Sequence, residues 1–417
     1  MAQTATSMAA VIKDAWTSDT LVKQFEAGNL PLAKFERFKG TMIGTQAQVP
    51  IYNGRSFAYT SVGAAGGSLN ADQAQQVNQA TYTLPQHWFQ IGLETSAIAQ
   101  AGSDATAIIK AKDLEIEGAV ENMKHQMVRQ LVTNGDSIVA HCDTSGGSST
   151  TLKLIAAAAE GAAYGYSALV RGWLDVGATV DIGTLADTDA LATGGVSITA
   201  VNKSAVTPTV TLSSAVNATA GTHFVFIPNP NSATAANPEM NGLRGIVNTS
   251  GAIGGLNPAT AGQEFWQAAM RDTTTTVLSI DLLLGMQRAI RQNGADKEEI
   301  WTGFKQRQNL YSLLQNQVRF SSDGNLTAGA DQTVSWNDAR LEAYADILDT
   351  DLFMLSPKDL IRVTSSIDKP TWASDLQGTE TGMNWNLGTT KFTDALVWPV
   401  NFGAHRRNTH AAATALQ

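Results

Sequence analysis

Residues Thr45 to Asn134 constrain this chain more than any other stretch. Two strand-like arms flank a glycine-rich tip, and a long amphipathic segment follows. The ascending arm runs from Gln46 to Asn53 and, past Gly54 and Arg55, from Ser56 to Val62. Val49, Ile51, Phe57, Tyr59 and Val62 alternate loosely with polar residues, as in a strand with one buried face. The tip, Gly63 to Gln76, places Gly63, Gly66 and Gly67 among small polar residues and supplies no core of its own. The descending arm, Val77 to Glu94, is heavier, with Tyr82, Leu84, Trp88, Phe89, Ile91 and Leu93. Pro85 within it predicts an edge or a bulge. A connection this long is uncommon inside a compact domain. A second subunit completing its contacts accounts for it; an ordinary surface hairpin is the other reading.

The helix expected next starts at Ser103 or Asp104 as cap and stops at Gly135. Ala105, Ile109, Ile116, Val120, Met123, Met127 and Leu131 share a stripe roughly 80° wide. Glu115, Glu117, Glu121 and Arg129 lie off it. At 1.5 Å per residue such a helix reaches about 45 Å, enough to cross a domain. Gly118, mid-helix, costs about 1 kcal/mol relative to Ala. It marks a bend, a close neighbour or a tolerated residue.

A polar N-terminal arm, a long hairpin with a glycine-rich tip, then a spine helix: this order resembles the major capsid proteins of tailed bacteriophages, the Hong Kong 97 phage fold. The resemblance is architectural, with no short signature motif. It implies an α+β fold with an N-terminal arm (1–44), an extended hairpin (45–94), a spine helix and peripheral domain (95–167), and an axial α/β domain (229–360). A C-terminal return to the peripheral domain (361–417) completes it. It further implies a non-enzymatic shell subunit of the virion head, made in the host cytoplasm and assembled with itself as pentamers and hexamers. A portal and, in some relatives, a decoration protein are the other partners. Arg55, Gly63, Gly66, Gly67 and Trp88 become the candidate intersubunit contacts.

Composition fits this reading and excludes others. With 417 residues, two or three domains are expected. Only 16% of residues are charged and the net charge is −9. A dedicated nucleic-acid binder needs clustered Lys and Arg to displace counterions, so packaged DNA is expected to be touched non-specifically. A single cysteine, Cys142, leaves no intrachain disulfide framework. No stretch has the length and hydropathy of a membrane span, and the N-terminus lacks the pattern of a secretory signal.

Along the rest of the chain, Met8, Val11, Ile12 and Trp16, then Leu21, Val22 and Phe25, predict short amphipathic helices in the arm. They need a surface to bury against, either their own domain or a neighbour. No acidic or coiled-coil extension precedes them, which by the resemblance implies a separate scaffolding protein. Residues 135–151 read as a short strand and a Gly/Ser/Thr loop, and Leu152 to Glu160 as a helix. Short alternating runs at Ala178–Gly183, Val196–Val201, Pro208–Leu212 and Thr222–Ile227 predict a small β-barrel or sandwich, inserted over 168–228. Residues 229–260 read as loop. A helix capped by Ser279 and closed by Gly294 follows, with Leu282, Leu283, Met286, Ala289 and Ile290 on one face. Then come a strand at Glu299–Phe304, a helix at Arg307–Val318, strands to Pro357, and a strand at Lys391–Ala404. The tail from His405 is expected to fray.

Candidate chemistry is thin. His141, Cys142 and Asp143 are adjacent, but successive strand residues point to opposite faces, so they do not form a nucleophile–base pair. The six histidines show no HxH or HxxxH spacing, so no metal is implied. Asp187–Leu191 lacks the closing Glu of a calcium loop, and Gly63–Gly67 lacks the GK[ST] of a phosphate loop. Arg406 and Arg407 read as a solvated pair or as a contact to DNA or an acidic edge. No cofactor is expected. A phage tail or bacterial surface-layer subunit is the alternative structural reading. Some phage shells lock through an isopeptide bond from a hairpin Lys to an Asn. Between Gln46 and Glu94 there is no Lys, and Arg55 is the sole Lys or Arg. Mass spectrometry of denatured particles is therefore expected to return monomer mass only; a covalently linked oligomer mapped to the hairpin would contradict this.

Overall fold

The computed structural model describes residues 34–38, 40, 42–54, 68, 76–94, 105–143, 145–161, 163–184, 195–227, 239–295, 298–315, 335–337, 339–365, 367, 370–373, 384–385 and 391–417. The expected arm helices between Met8 and Phe25, the caps Ser103 and Asp104, and the turn Asp187–Leu191 lie outside these. The described strands form three six-stranded sheets and a three-stranded ribbon.

The chain enters through β1 (Glu36–Arg37) and β2 (Met42–Ile43), then builds the hairpin from β3 (Gln46–Gly54) and β4 (Gln76–Thr83). Register runs from Gln46↔Thr83 to Tyr52↔Val77. The descending arm is not one strand. At Leu84 and Pro85 it leaves the ribbon, and β5 (Gln86–Glu94) pairs instead with the strand Lys391–Ala404. Proline has no N–H for a ladder, which makes this a natural point to change sheets.

Helix α1 (Ala105–Val132) spans 28 residues. Ile116, Val120, Met123, Met127 and Leu131 are all buried, as the stripe predicts. The end of the helix is enclosed beyond the stripe: Val128, Arg129, Gln130 and Val132 are buried too. Arg129, expected to face outward, is sealed against Glu239 and also donates to the Ile138 carbonyl at 3.4 Å. Gly135, with φ +73°, lies just past the helix. Among the described residues nothing approaches the Cβ position of Gly118 within 4 Å, which fits a tolerated residue.

A β-barrel follows. Its strands are β6 (Ile138–His141), β7 (Ser145–Lys153), β8 (Thr179–Gly183), β9 (Val196–Asn202), β10 (Thr209–Thr219) and β11 (Phe224–Phe226), with helix α2 (Tyr166–Val170) between β7 and β8. Their order is β6-β11-β8-β9-β10-β7. A Cys142↔Leu154 bridge and the bond from Asp143 N to Lys153 O (2.8 Å) join the two ends and close it. Two expectations fail here. Ser145–Lys153 is a strand, not a loop, and the helix expected from Leu152 is absent; a 3-10 turn at Ala157–Ala159 stands in its place. Pairing with β10 and burial of Leu152 and Leu154 override the local helical preference. The barrel therefore begins at Ile138, ahead of the boundary expected at 168.

Past the short helix α3 (Leu243–Ile246), the second half builds the third sheet. It contains β12 (Met270–Asp272), β13 (Glu299–Thr302), β14 (Ser335–Trp336), β15 (Ala339–Ala343) and β16 (Asp351–Leu355). Helices α4 (Ile280–Gln292) and α5 (Phe304–Gln315) connect them. Ser279 caps α4 by accepting from Leu282 N (3.2 Å), and Gly294 closes it at φ +80°. β17 (Leu360–Thr364), β18 (Thr371–Trp372), β19 (Asn384–Trp385) and β20 (Lys391–Ala404) form the sheet around β20 with β1 and β5.

The chain does not fray after β20. β21 (Ala411–Thr414) lies inside the third sheet, between β12 and β16. That sheet is a wall between two cores. Leu352, Met354, Ala411 and Ala413 face α4 and α5, while Phe353, Leu355 and Ala412 join the main core. A strand buried on both faces shows no polar alternation, so its small residues read as a tail.

Two arginines lock these parts together. Arg244 of α3 is fully buried. Its Nε and Nη2 donate to the two Asp351 oxygens at 2.6 and 2.7 Å, and Nη2 also reaches the Gly161 carbonyl at 2.8 Å. Burial works against its charge, and Asp351 more than reverses that, so its pKa is raised. Among the described residues no carboxylate pairs with Arg407; it donates instead to the carbonyls of Ile246, Gly251, Trp266, Gly245 and Asn248 at 2.8–3.1 Å. A guanidinium has five N–H donors, and these answer all of them. Burial lowers its pKa to about 10, so it stays charged at neutral pH. Neither arginine was expected inside. Arg244→Met is expected to cost about 3–5 kcal/mol because Asp351 is left buried and unpaired. Adding Asp351→Leu is expected to recover most of that. Chemical denaturation of the unassembled subunit measures both, and a double variant no better than the single one would contradict the pairing.

Candidate assembly surface

The hairpin ribbon has two unlike faces, set by strand alternation. Ala47, Val49, Ile51, Ala80 and Tyr82 are buried against the body. The outer face is polar near the root, where Gln79 Nε2 donates to Gln48 Oε1 at 2.7 Å. Farther out it turns apolar: Tyr52 and Val77 face each other in register and are 54% and 60% exposed.

The root is bolted down. The Tyr82 hydroxyl donates to Ala404 O (2.9 Å) and accepts from Ala404 N (3.2 Å). The ring lies where a Cβ on Gly403 would sit, 2.4 Å away, so only glycine fits there without displacing the ring. Asn401 Nδ2 donates to Thr83 O at 2.6 Å, and Thr81 N to Gly254 O at 2.7 Å. The entry of the chain is equally fixed. Lys34 Nζ donates to both Glu299 oxygens at 3.2 Å and to Glu342 Oε1 at 3.1 Å. Phe35 sits edge-on to Trp301 and Phe402, with ring centroids 6.2 and 4.5 Å away.

Of the candidate contacts, Arg55, Gly63, Gly66 and Gly67 lie outside the described residues. Trp88 is on β5 and 56% exposed, its Nε1 donating to Gln86 Oε1 at 3.2 Å. It stands on the β20 sheet, not on the ribbon with Tyr52 and Val77. The sequence alone does not single out that pair, because only the hairpin register brings Tyr52 opposite Val77. Phe304 and Tyr311, 55% and 57% exposed and two turns apart on one face of α5, form a second exposed apolar pair.

The adjacent residues His141, Cys142 and Asp143 do not converge. Cys142 is fully buried, and burial raises its thiol to about 12, so no thiolate is available at neutral pH. His141 is lowered to about 4 by burial and meets the Tyr164 backbone at 3.2 Å, while Asp143 pairs with Lys153 at 3.5 Å. Among the described residues no group of three His, Cys, Asp or Glu side chains is placed to hold a metal, and no described helix is long and apolar enough to cross a membrane. Arg406 pairs with Asp359 at 3.2 Å.

No protein-family model matches the chain, and no curated protein matches it. Among solved structures, a chain of the cyanophage A-1(L) capsid asymmetric unit is similar, with a TM-score of 0.54 at 10% identity over 93% of this chain and 92% of that one. A chain from Mycobacterium phage Patience aligns over 98% and 89% at 9% identity, with a TM-score of 0.45, below the level that marks a shared fold. The likeness to the cyanophage capsid shows the fold. This chain is built as a phage capsid subunit is built, in the α+β architecture that the order of arm, hairpin and helix implied.

Burial also sets a pH response. His87 on β5 is lowered to about 4 by burial, against 6.5 when unfolded. Between those values the unfolded chain takes up a proton that the folded chain refuses. Stability is therefore full above 6.5 and falls with pH down to 4. The unfolding free energy of the wild type relative to His87→Phe is expected to drop by about 3 kcal/mol from pH 6.5 to pH 4. Denaturant titrations at the two pH values measure it; an unchanged difference would mean His87 is solvated.

Proposed function

We propose that this chain is the major capsid protein of a tailed bacteriophage, a subunit that assembles with itself into the icosahedral head shell around double-stranded DNA. The observation that carries the reading is the hairpin: a ribbon fixed at its root by Tyr82 and Gly403, whose outer face turns apolar at Tyr52 and Val77, toward the tip. Exposed apolar surface on an anchored projection is a cost in a monomer and a contact in an assembly.

In this reading the mechanism is geometric and the protein is not an enzyme. The arm (1–44) and hairpin (45–94) reach adjacent subunits, with Arg55, Gly63, Gly66, Gly67 and Trp88 among the contacts. The spine and peripheral segment (95–167) and the strands around β20 form the shell wall, while β21, expected with them in 361–417, completes the sheet of the axial segment. The barrel, which starts at Ile138 and ends at Phe226, is a domain inserted beside that wall. The axial segment (229–360) meets its copies in pentamers and hexamers. Interfaces per subunit total on the order of 2,000–5,000 Å², as in obligate assemblies. A separate scaffolding protein and a portal take part, a decoration protein is a further partner, and DNA is touched without sequence preference. The subunit is made in the host cytoplasm and ends in the virion.

Expression with negative-stain microscopy and sedimentation tests this. The wild type, alone or with its scaffold, is expected to give closed shells or penton- and hexon-sized rings. A variant with residues 55–75 replaced by a short turn is expected to stay folded and remain unassembled. Tubes or flat lattices from the wild type would move the reading to a tail or surface-layer subunit.

A further inference from the structure

A cleft of about 400 Å³ opens beside the loop that Arg407 holds together. Its lining is mostly polar, and includes Asn134, Asp136, Asn241, Asn248 and Arg271. Most of these groups are committed. Asn241 Nδ2 donates to Phe402 O at 2.9 Å. Asn134 Nδ2 donates to Asp136 Oδ2 at 3.2 Å, and Asp136 Oδ1 accepts from Ile138 N at 3.4 Å.

Arg271, on β12, is the exception. One of its nitrogens, Nη1, donates to the Arg244 carbonyl at 3.2 Å. Its Nε is buried and meets no acceptor among the described residues. Asp351, whose charge attracts it, has both oxygens taken by Arg244. Burial and the like charge of Arg244 lower its pKa. A partly buried cation with an unanswered N–H is unusual in a folded chain, and a carboxylate is the strongest acceptor for a guanidinium fork.

We propose that this cleft is an oxyanion site, with Arg271 as its charged donor and the Asn248 amide beside it. Two sources carry that chemistry: a free inorganic anion, and an Asp or Glu carboxylate of a neighbouring copy. The volume exceeds what a bare anion fills and has room for a side chain with part of its backbone. The neighbour's carboxylate rests on the shell reading; the oxyanion site does not.

The test has two arms. In the first, the unassembled subunit is melted in about 20 mM phosphate and in chloride of equal ionic strength; phosphate is expected to raise Tm by about 2–4 °C more in the wild type than in Arg271→Gln. Asn248→Ala, which removes only the amide, is expected to show a reduced response. In the second, deuterium exchange across residues 245–253 is compared in free and assembled protein; assembly is expected to protect the segment in the wild type and not in Arg271→Gln. A phosphate response without an assembly response assigns the site to a free anion, and an assembly response assigns it to a neighbour's carboxylate. If Arg271→Gln fails to fold, Arg271→Lys serves in both arms, as it keeps the charge and loses the fork. No difference between wild type and variant in either arm overturns the proposal. A chain that never forms shells leaves the first arm to decide.

Discussion

A guanidinium sealed from water must have its N–H groups answered, and that demand organises this molecule. Arg244, Arg407 and Arg129 are all fully buried. Each reaches far along the chain: Arg244 to Asp351 across 107 residues, Arg407 to Ile246 across 161, Arg129 to Glu239 across 110. All three converge on residues 239–251. Buried ion pairs contribute little net stability once desolvation is counted, but a broken one is very costly. Their effect is therefore to penalise every arrangement of barrel, spine helix and third sheet except this one.

The same loop touches the hairpin root. Thr81 bonds Gly254, and Gly254 lies against Ala80 and Tyr82. Gly242 packs so closely on the end of α1 that a Cβ would fall 1.9 Å from the Thr133 carbonyl. The body thus behaves as one piece, with the hairpin cantilevered from it and the chain entry clamped at Lys34 and Phe35. In the proposed shell, such a subunit would adjust to several positions by moving its projections while the body stays unchanged.

Much of this was legible in the sequence, for identifiable reasons. Where one face is buried and the other wet, the pattern speaks: the alternation of β3, the stripe of α1 from Ile116 to Leu131, the cap and stop of α4 and the extent of β20 all read correctly. Where both faces are buried, or the residues are small, it is silent. Ala411–Thr414 is a central strand with no polar face, and Ser145–Lys153 is held by its partner β10 and not by its own propensity. Arg244 and Arg407 look like any surface arginine, because their partners are set by tertiary structure alone. Of the candidate assembly surface, the hairpin itself was visible, but its apolar outer pair was not: Tyr52 and Val77 acquire meaning only from their register.

A cryo-electron reconstruction of particles formed by this chain tests these ideas most directly. The expected result is a closed shell into which the body fits unchanged, Arg244 still on Asp351, with differences confined to the hairpin and the segment before Lys34. Tubes or sheets, or a shell whose subunits open between the barrel and the third sheet with that pair broken, would contradict it.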